Sequence, residues 1–134
     1  MTDAKPYPKS QQLARGAKRY RRKVASPKQW QAIRAAKCRG QRCRVCLATD
    51  GVTSKVSGPT WIDAHHLIPR DRGGDDVADN IIGLCRNCHG GVEIREKAHC
   101  RLMLTRLTDA EYAYAINKAG EGVFERVYGI EYGR

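Results

Sequence analysis

The chain has 134 residues, which is the length of one domain with a modest hydrophobic core. Lysine and arginine number 25 against 14 aspartates and glutamates, and the formal net charge of +11 favours a polyanionic partner. A hydrophobic fraction of 41% is typical of a globular chain rather than a disordered one. No stretch approaches the ~18 apolar residues of a membrane span. Charge and proline occupy the N-terminus in place of a secretory apolar run, so we expect a cytoplasmic protein without membrane association.

The positive charge is concentrated in the N-terminal third of the chain. Residues 1–46 hold 14 basic side chains and one acid, whereas residues 47–134 hold 11 basic and 13 acidic side chains. We predict that residues 1–26 form a flexible basic arm that contacts nucleic-acid phosphates without reading the base sequence. A solvated tail that only aids solubility is the alternative. The predicted nucleic-acid contacts lie in the densest run and are Lys18, Arg19, Arg21, Arg22 and Lys23.

The secondary structure expected after the arm is mixed. Ser26, Pro27 and Gln29 form a capping signal, which predicts a helix over residues 27–38 that ends at Gly40. A second capping box at residues 108–111 predicts a helix that ends at Gly120. The other expected elements are a short strand and turn at 51–58, a strand at 60–65, a polar loop at 70–79, an apolar segment at 81–84, a helix over about 87–99 and a helical piece at 122–128.

Two Cys-x-x-Cys pairs are separated by 38 residues and predict a structural zinc site. Two intervening residues form a tight turn that directs both thiolates to one side, so that two such pairs can complete a tetrahedral Zn²⁺ site. Buried structural thiols or a redox pair are the alternative. Cys38 and Cys100 are expected to be small buried side chains, although Cys38 could replace a ligand because it lies five residues before Cys43. The predicted zinc ligands are Cys43, Cys46, Cys85 and Cys88.

Three of the four histidines fall within 25 positions beside the cysteine pairs, at His65, His66 and His89. Imidazoles can hold a divalent cation that neutralises a phosphate, and a further imidazole can take a proton from an attacking water. A polar side chain such as that of Asn80 can fix the orientation of the base. The set is therefore suited to one-metal hydrolysis of a phosphodiester.

These residues stand in a longer pattern that resembles the core of the HNH endonuclease family, in its four-cysteine zinc variant common among phage and bacterial nucleases. The pattern runs from the His65-His66-Leu67-Ile68-Pro69 segment through Gly73-Gly74 and Asp79-Asn80 to Cys88-His89, and the resemblance covers about residues 43–96. It implies an α+β fold with a ββα-metal core, namely a strand that ends in the histidine pair, a loop, a short strand and a helix. Residues 27–134 would form the nuclease domain, with C-terminal helices at about 108–128.

The resemblance also implies a role for each matching residue. His66 corresponds to the general base, and Asn80 corresponds to the central asparagine that holds the loop and steers this base. His65 and His89 correspond to protein ligands of the catalytic ion, which the family implies is Mg²⁺ or Mn²⁺. Hydrolysis would leave a 5′-phosphate and a 3′-hydroxyl.

Three further residues lie near this pattern. Many relatives carry a histidine one helical turn after the last one, where this chain has Glu93. Glu93 could bind the metal, but we expect an exposed helical glutamate. Asp63 could orient the ring of His65 from the same strand face or could be a solvated carboxylate, and His99 is expected to be structural.

Two classes of function agree with the sequence. One is a metal-dependent endonuclease that nicks or cuts double-stranded DNA, or a related nuclease that acts on branched DNA or RNA. The other is a zinc-stabilised nucleic-acid-binding module without catalysis, which would have no use for His65, His66, Asn80 and His89 together. A homodimer or phage packaging proteins are further expected partners, with the host cytoplasm as the location of a phage-encoded protein.

Overall fold

The computed structural model describes residues 22–55 and 58–134 of the chain. Its mixture of helices and short antiparallel strands confirms the predicted α+β class. No helix in this part of the chain is long and apolar enough to cross a membrane. The elements in chain order are α1 (Pro27–Lys37), β1 (Thr53–Ser54), β2 (Gly58–Pro59), β3 (Ile62–His66), β4 (Ile81–Cys85), α2 (Arg86–Glu93), α3 (Lys97–Thr105), α4 (Asp109–Ala119) and α5 (Val123–Tyr128).

The centre of the molecule is the β3–β4 hairpin followed directly by α2. The two strands pair antiparallel, with Ile62 opposite Cys85 and His66 opposite Ile81. Every residue of β4 is buried, because other elements cover both faces of this strand. At Gly83 a Cβ atom would lie 2.6 Å from the carbonyl oxygen of Lys37, so only glycine permits α1 to approach this closely. The arrangement confirms the predicted ββα core.

The strand predictions were right in location and imprecise in extent. The strand expected over residues 60–65 runs from Ile62 to His66, so that it ends on the histidine pair. The segment expected at 51–58 is a minimal hairpin in which Thr53 pairs with Pro59 and Ser54 with Gly58. The helix expected over 27–38 is confirmed as α1, with the Ser26 and Gln29 side chains forming the capping box.

The prediction of one helix over residues 87–99 is wrong, because the chain turns between α2 and α3. Arg95 has a φ of 62°, a left-handed conformation that interrupts the helical hydrogen bonding. Glu96 then caps α3 by accepting hydrogen bonds from the amides of Ala98 and His99. His99 contacts the side chain of Glu96 and packs against Gly91, where a Cβ would lie 2.7 Å from its ring.

The C-terminal helices α4 and α5 cover the core and confirm the prediction for residues 108–128. Thr108 and Glu111 form the expected capping box, and Gly120 and Gly129 end the two helices. Glu111 is fully buried and also pairs with Lys37 (2.5 Å) and Arg44 (2.6 Å), which joins α4 to α1 and to the first cysteine turn. The largest fully buried side chains include Leu67, Ile82, Leu84, Met103, Leu104, Phe124 and Tyr128.

The last residues of the predicted basic arm pack on the domain. The Lys23 amide donates to Asp75 (2.6 Å), and the Asp76 amide donates to the Lys23 carbonyl (2.9 Å). Arg22 donates to the Gly74 carbonyl (2.7 Å) and pairs with Asp76. Arg22 is therefore partly buried in protein contacts, whereas the other predicted nucleic-acid contacts Lys18, Arg19 and Arg21 lie outside the described residues.

Candidate active site and metal centre

The four cysteines of the two Cys-x-x-Cys pairs come together in one cluster. Their sulfur atoms all lie within 4.8 Å of one another, and those of Cys46 and Cys85 are 3.7 Å apart. Cys85 is the last residue of β4 and caps α2, so the strand and helix of the ββα core supply one half of the cluster. Cys43 and Cys46 supply the other half, and Cys38 and Cys100 are buried outside the cluster.

The chemistry of this cluster fits a tetrahedral zinc ion. Burial raises the pKa of Cys43, but backbone hydrogen bonds outweigh this effect and lower it to about 7. Burial and the neighbouring thiols raise the pKa of Cys88. A thiolate-binding metal would remove these protons and compensate for the mutual repulsion of four thiolates. The cluster is therefore a candidate zinc site that ties the first cysteine turn to the start of α2.

A second group of side chains that could hold a metal ion lies at the junction of β3 and α2. It consists of one ligand atom each from His65, His89 and Glu93, all within 4.8 Å of one another. Oε1 of Glu93 is 3.0 Å from Nε2 of His89 and 3.8 Å from Nδ1 of His65. His89 and Glu93 are four residues apart, so they project from the same face of α2 toward the end of β3. We call this group the histidine–glutamate trio.

Contacts behind the trio orient the two imidazole rings. The Tyr128 hydroxyl donates to the Leu67 carbonyl (2.6 Å) and lies 2.8 Å from Nε2 of His65. Because the hydroxyl has one proton, its oxygen accepts from Nε2–H, and Nδ1 of His65 keeps its lone pair for the trio. Asp63 lies 3.7 Å from Nδ1 of His89. Asp63 therefore lies beside the His89 ring, whereas the sequence suggested that it could orient the ring of His65.

Glu93 is largely exposed, as expected from the sequence, and its carboxylate also lies close to both His65 and His89. Its side chain is 59% exposed, yet hydrogen bonding and charge from His65 and His89 lower its pKa to about 2. The carboxylate therefore stays ionised between the two rings at neutral pH. Two imidazoles and one carboxylate form a donor set that suits a divalent ion, and a borderline transition ion better than Mg²⁺, which prefers oxygen ligands.

His66 follows His65 but takes part in a different set of contacts. Its Nε2 atom lies 2.8 Å from Oδ1 of Asp76, and its ring stacks on Trp30 with centroids 5.5 Å apart and an interplanar angle of 14°. Burial lowers the pKa of His66, an effect that the hydrogen bond to Asp76 partly offsets. The ring is therefore neutral at neutral pH, which is the form able to accept a proton.

The His66 ring and the trio share an open cleft of about 670 Å³. Adjacent residues within a regular strand point to opposite faces, but His66 is the last residue of β3 and its ring reaches the cleft that His65 also lines. The histidine pair thus converges at the strand end. The lining also includes five further residues with basic or aromatic side chains, Trp30, Arg70, Arg72, Arg95 and Tyr128.

Asn80 is fully buried and holds the loop between the histidine pair and β4. Its Oδ1 atom accepts from the Ile68 amide (2.8 Å), and its Nδ2 atom donates to the carbonyls of Ile68 (3.1 Å) and Asp75 (2.9 Å). A Cβ at Gly74 would lie 1.7 Å from the Ile68 carbonyl oxygen, so this loop closes only around glycine. Asn80 thereby fixes the loop that carries Asp76, and it reaches His66 through that loop.

Sequence reasoning missed three residues that contact the histidines. Trp30 and Tyr128 belong to α1 and α5, far from the histidines in the chain, and Asp76 lies in an acidic loop with no distinguishing motif. Glu93 was recognisable from its spacing to His89, because residues four apart share a helix face. The other three required the tertiary structure.

The part of the chain that contains both candidate metal sites is similar in sequence to known proteins. Residues 43–93 match the family model described as HNH endonuclease. A segment of 32 residues is 47% identical to the type IV methyl-directed restriction enzyme EcoKMcrA of Escherichia coli (strain K12), and the match covers 24% of this chain and 12% of that enzyme. The chain thus spans a small part of that relative's length. No solved structure matches the chain significantly.

Proposed function

Because residues 43–93 match the family model described as HNH endonuclease, we propose that the chain is a metal-dependent DNA endonuclease with His66 as its general base. The observation that carries this proposal is the shared cleft, in which a neutral imidazole stands beside a group of metal-binding atoms. A module that only binds nucleic acid gains nothing from that pairing. The matched part of the restriction enzyme supports DNA as the substrate class, and its methyl-directed action is not carried over.

The chemistry assigned to the chain's own residues is proton transfer and orientation. Neutral His66 accepts the proton of a water molecule that attacks the phosphorus atom from the side opposite the leaving oxygen. Asn80 holds the loop around this ring, so that the base keeps one orientation as the scissile phosphate enters the cleft. Arg70 and Arg72 line the same cleft and offer positive charge to the phosphates that flank the scissile bond.

His65, His89 and Glu93 would hold the catalytic divalent ion, with Mg²⁺ or Mn²⁺ as candidates. Such an ion would supply positive charge to the phosphate and to the leaving oxygen. The four cysteines would hold a structural Zn²⁺, which supplies folding free energy and takes no part in the reaction. Since the trio contains two imidazoles, we expect Mn²⁺ to support activity at lower concentration than Mg²⁺ does.

Residues 1–26 are proposed as the nucleic-acid-binding arm and residues 27–134 as the nuclease domain. The net charge of the arm supports electrostatic binding to double-stranded DNA that does not depend on sequence. Lys23 is exposed at the point where the chain joins the domain. The arm would therefore lead bound DNA toward the loop of residues 74–76, next to the cleft.

The test is cleavage of supercoiled plasmid by the zinc-loaded protein. The proposal predicts nicked or linear DNA when Mn²⁺ or Mg²⁺ is added and none when EDTA is present. Branched DNA and RNA are assayed in parallel, because the cleft itself has no base-reading feature that we identify in the described residues. Binding without cleavage of any of these substrates under any added metal would favour the non-catalytic zinc module instead.

A further inference from the structure

Asp76 lies at the centre of a set of hydrogen bonds that ends on His66. Its carboxylate is almost fully buried and lies 2.8 Å from Nε2 of His66 through Oδ1. Oδ2 accepts from the Ala25 amide (3.1 Å), and Arg22 pairs with Oδ1. Burial raises the pKa of Asp76, but hydrogen bonds from His66 and Ala25 and the positive charge of Arg22 outweigh this effect and lower it. The carboxylate is therefore an anion that accepts hydrogen bonds.

This contact decides which nitrogen of His66 carries the proton. Arg70 also approaches Nε2 as a donor, at 3.4 Å, and a ring nitrogen cannot donate and accept at once. The contact with Asp76 is 0.6 Å shorter (2.8 Å against 3.4 Å) and involves a buried anion, so Nε2–H donates to Asp76. Nδ1 is then the unprotonated nitrogen, and it has no hydrogen-bond partner among the described residues.

The indole of Trp30 stacks on the face of the His66 imidazole and restricts its movement. The two rings are nearly parallel, at 14°, with centroids 5.5 Å apart. Trp30 is on α1, outside the segment that matches the family model. The guanidinium of Arg70 covers the indole at 5.7 Å from its centroid, so the stack continues outward into the cleft.

We propose that Asp76 and Trp30 are positioning residues that fix the ring of His66, with the proton on Nε2 and the lone pair of Nδ1 turned to the attacking water. This inference rests on the function proposed above, in which His66 is the base. Without Asp76 the ring could carry its proton on either nitrogen, and without Trp30 it could rotate out of line. Both losses reduce the fraction of molecules ready to accept a proton, while DNA binding is retained.

The Asp76 carboxylate also binds residues 22–25, so one side chain contacts both His66 and the end of the proposed basic arm. Ala25 and Arg22 hold Asp76 from the arm side, and His66 contacts it from the cleft side. Asp75 strengthens the anchor by accepting from the Lys23 amide (2.6 Å) and from the Tyr114 hydroxyl (2.8 Å). The start of the described chain is thereby held against the loop whose Asp76 contacts His66.

The first test does not depend on enzymatic activity. Nitrogen NMR of ¹⁵N-histidine-labelled, zinc-loaded protein without added magnesium or manganese reports which ring nitrogen is protonated, and His66→Gln assigns the signal. The inference predicts the Nε2–H tautomer for His66 in the wild-type chain. A His66 ring with its proton on Nδ1, or exchanging between both tautomers, would overturn it.

The second test compares kcat and KM on plasmid DNA. Asp76→Asn and Trp30→Ala should each lower kcat by about 10²-fold, because small displacements of a catalytic group have effects of that size. KM should stay within about threefold, as the phosphate contacts remain. Trp30→Phe keeps a stacking ring and should restore most of kcat. Asp109→Asn, which changes an exposed carboxylate on α4 that does not line the cleft, is the matched control and should behave as wild type.

The two tests separate this inference from the proposed function. If the wild-type chain cuts DNA and both Asp76→Asn and Trp30→Ala retain wild-type kcat, the positioning role is wrong and the nuclease proposal stands. If the wild-type chain cuts no substrate, the nuclease proposal fails, and the tautomer of His66 still decides whether Asp76 orients the ring. Zinc content and thermal unfolding of each variant show that lost activity does not come from unfolding.

Discussion

Oε1 of Glu93 lies 3.0 Å from Nε2 of His89, one turn earlier on the same helix, and 3.8 Å from Nδ1 of His65. The carboxylate thus completes a group of three atoms, from two elements of the ββα core, that could hold a metal ion. The Tyr128 hydroxyl stands behind His65 and Asp63 stands behind His89, so both rings turn a nitrogen toward Glu93.

Glu93→Gln should weaken binding of Mn²⁺ by about tenfold or more, because the amide removes the negative charge of the trio. Titration followed by Mn²⁺ electron paramagnetic resonance or calorimetry measures this affinity in the zinc-loaded protein. Glu125→Gln makes the same change at an exposed position of α5 and should leave the affinity unaltered. Equal Mn²⁺ affinity in wild type and Glu93→Gln would show that Glu93 is a solvated helical residue and not a metal ligand.

Removal of zinc should unfold the region around the first cysteine turn and the start of α2. Cys88→Ser should reduce the zinc content of the purified protein and lower its thermal midpoint, because the metal supplies folding free energy to a small core. Zinc is measured by release to a colorimetric chelator and stability by calorimetry. Cys100→Ala, which alters a buried thiol outside the cluster, should keep one zinc per chain; equal zinc loss in both variants would contradict this assignment.

Glu111 should make the stability of the protein depend on pH in the acid range. Burial raises its pKa, but hydrogen bonds from Arg44, Lys37 and the Thr108 amide outweigh this effect and lower the pKa to about 2. A depressed pKa contributes stability above the ordinary value of 4.5, and this contribution declines as the pH falls toward 2.

Urea unfolding of wild type and Glu111→Gln between pH 7 and pH 3 measures this contribution. The variant should be less stable by roughly 3 kcal/mol at pH 7, since it breaks a buried ion pair, and the difference should shrink as the pH falls below the ordinary pKa. Glu121→Gln, on an exposed turn, should show no such difference. A constant gap across this range would mean that Glu111 contributes through shape and not through charge.

Deletion of residues 1–21 should weaken DNA binding and reduce its dependence on salt, while cleavage at saturating DNA remains. This segment holds six lysines and arginines and a single acid, Asp3, and each lost phosphate contact lowers the slope of log K against log salt by about 0.9. Fluorescence anisotropy at several salt concentrations gives this slope. The deletion ends before Arg22, because residues 22–25 hold Asp75 and Asp76.

A longer deletion of residues 1–25 is the informative comparison. It should impair cleavage at saturating DNA as well, because Asp76 then loses Ala25 and Arg22. If the shorter deletion keeps wild-type affinity and salt slope, the N-terminal segment is a tail that contributes only to solubility.

The parts of the fold that local chemistry determines could be predicted from the sequence. Capping boxes at Ser26 and Thr108 mark the starts of α1 and α4, and the two cysteine pairs mark the four-cysteine cluster. The break between α2 and α3 could not be predicted, because Ile94 and Arg95 are not helix-breaking residues. The chain turns there with Arg95 in a left-handed conformation, and Glu96 starts the next helix as an unusual cap.

The residues of the candidate site also fall into two groups, those that a sequence motif predicts and those that only the tertiary structure brings to the site. His65, His66, Asn80 and His89 stand in a motif whose order and spacing are informative, and all four lie within the segment that matches the family model. Trp30, Asp76 and Tyr128 contact the histidines across 10 to 63 positions of sequence. No local pattern encodes such contacts, because those of Trp30 and Tyr128 arise when α1 and α5 pack on the hairpin and that of Asp76 depends on the path of the loop before β4.

The most direct test of the account is the single-turnover cleavage rate of His66→Ala on plasmid DNA with Mn²⁺ or Mg²⁺. Loss of a general base typically lowers a rate by about 10²–10⁴-fold, and DNA binding and zinc content should match wild type. We expect a loss of this size in His66→Ala protein whose fold is intact. A His66→Ala protein that cuts as fast as wild type would contradict the assignment of His66 as the base.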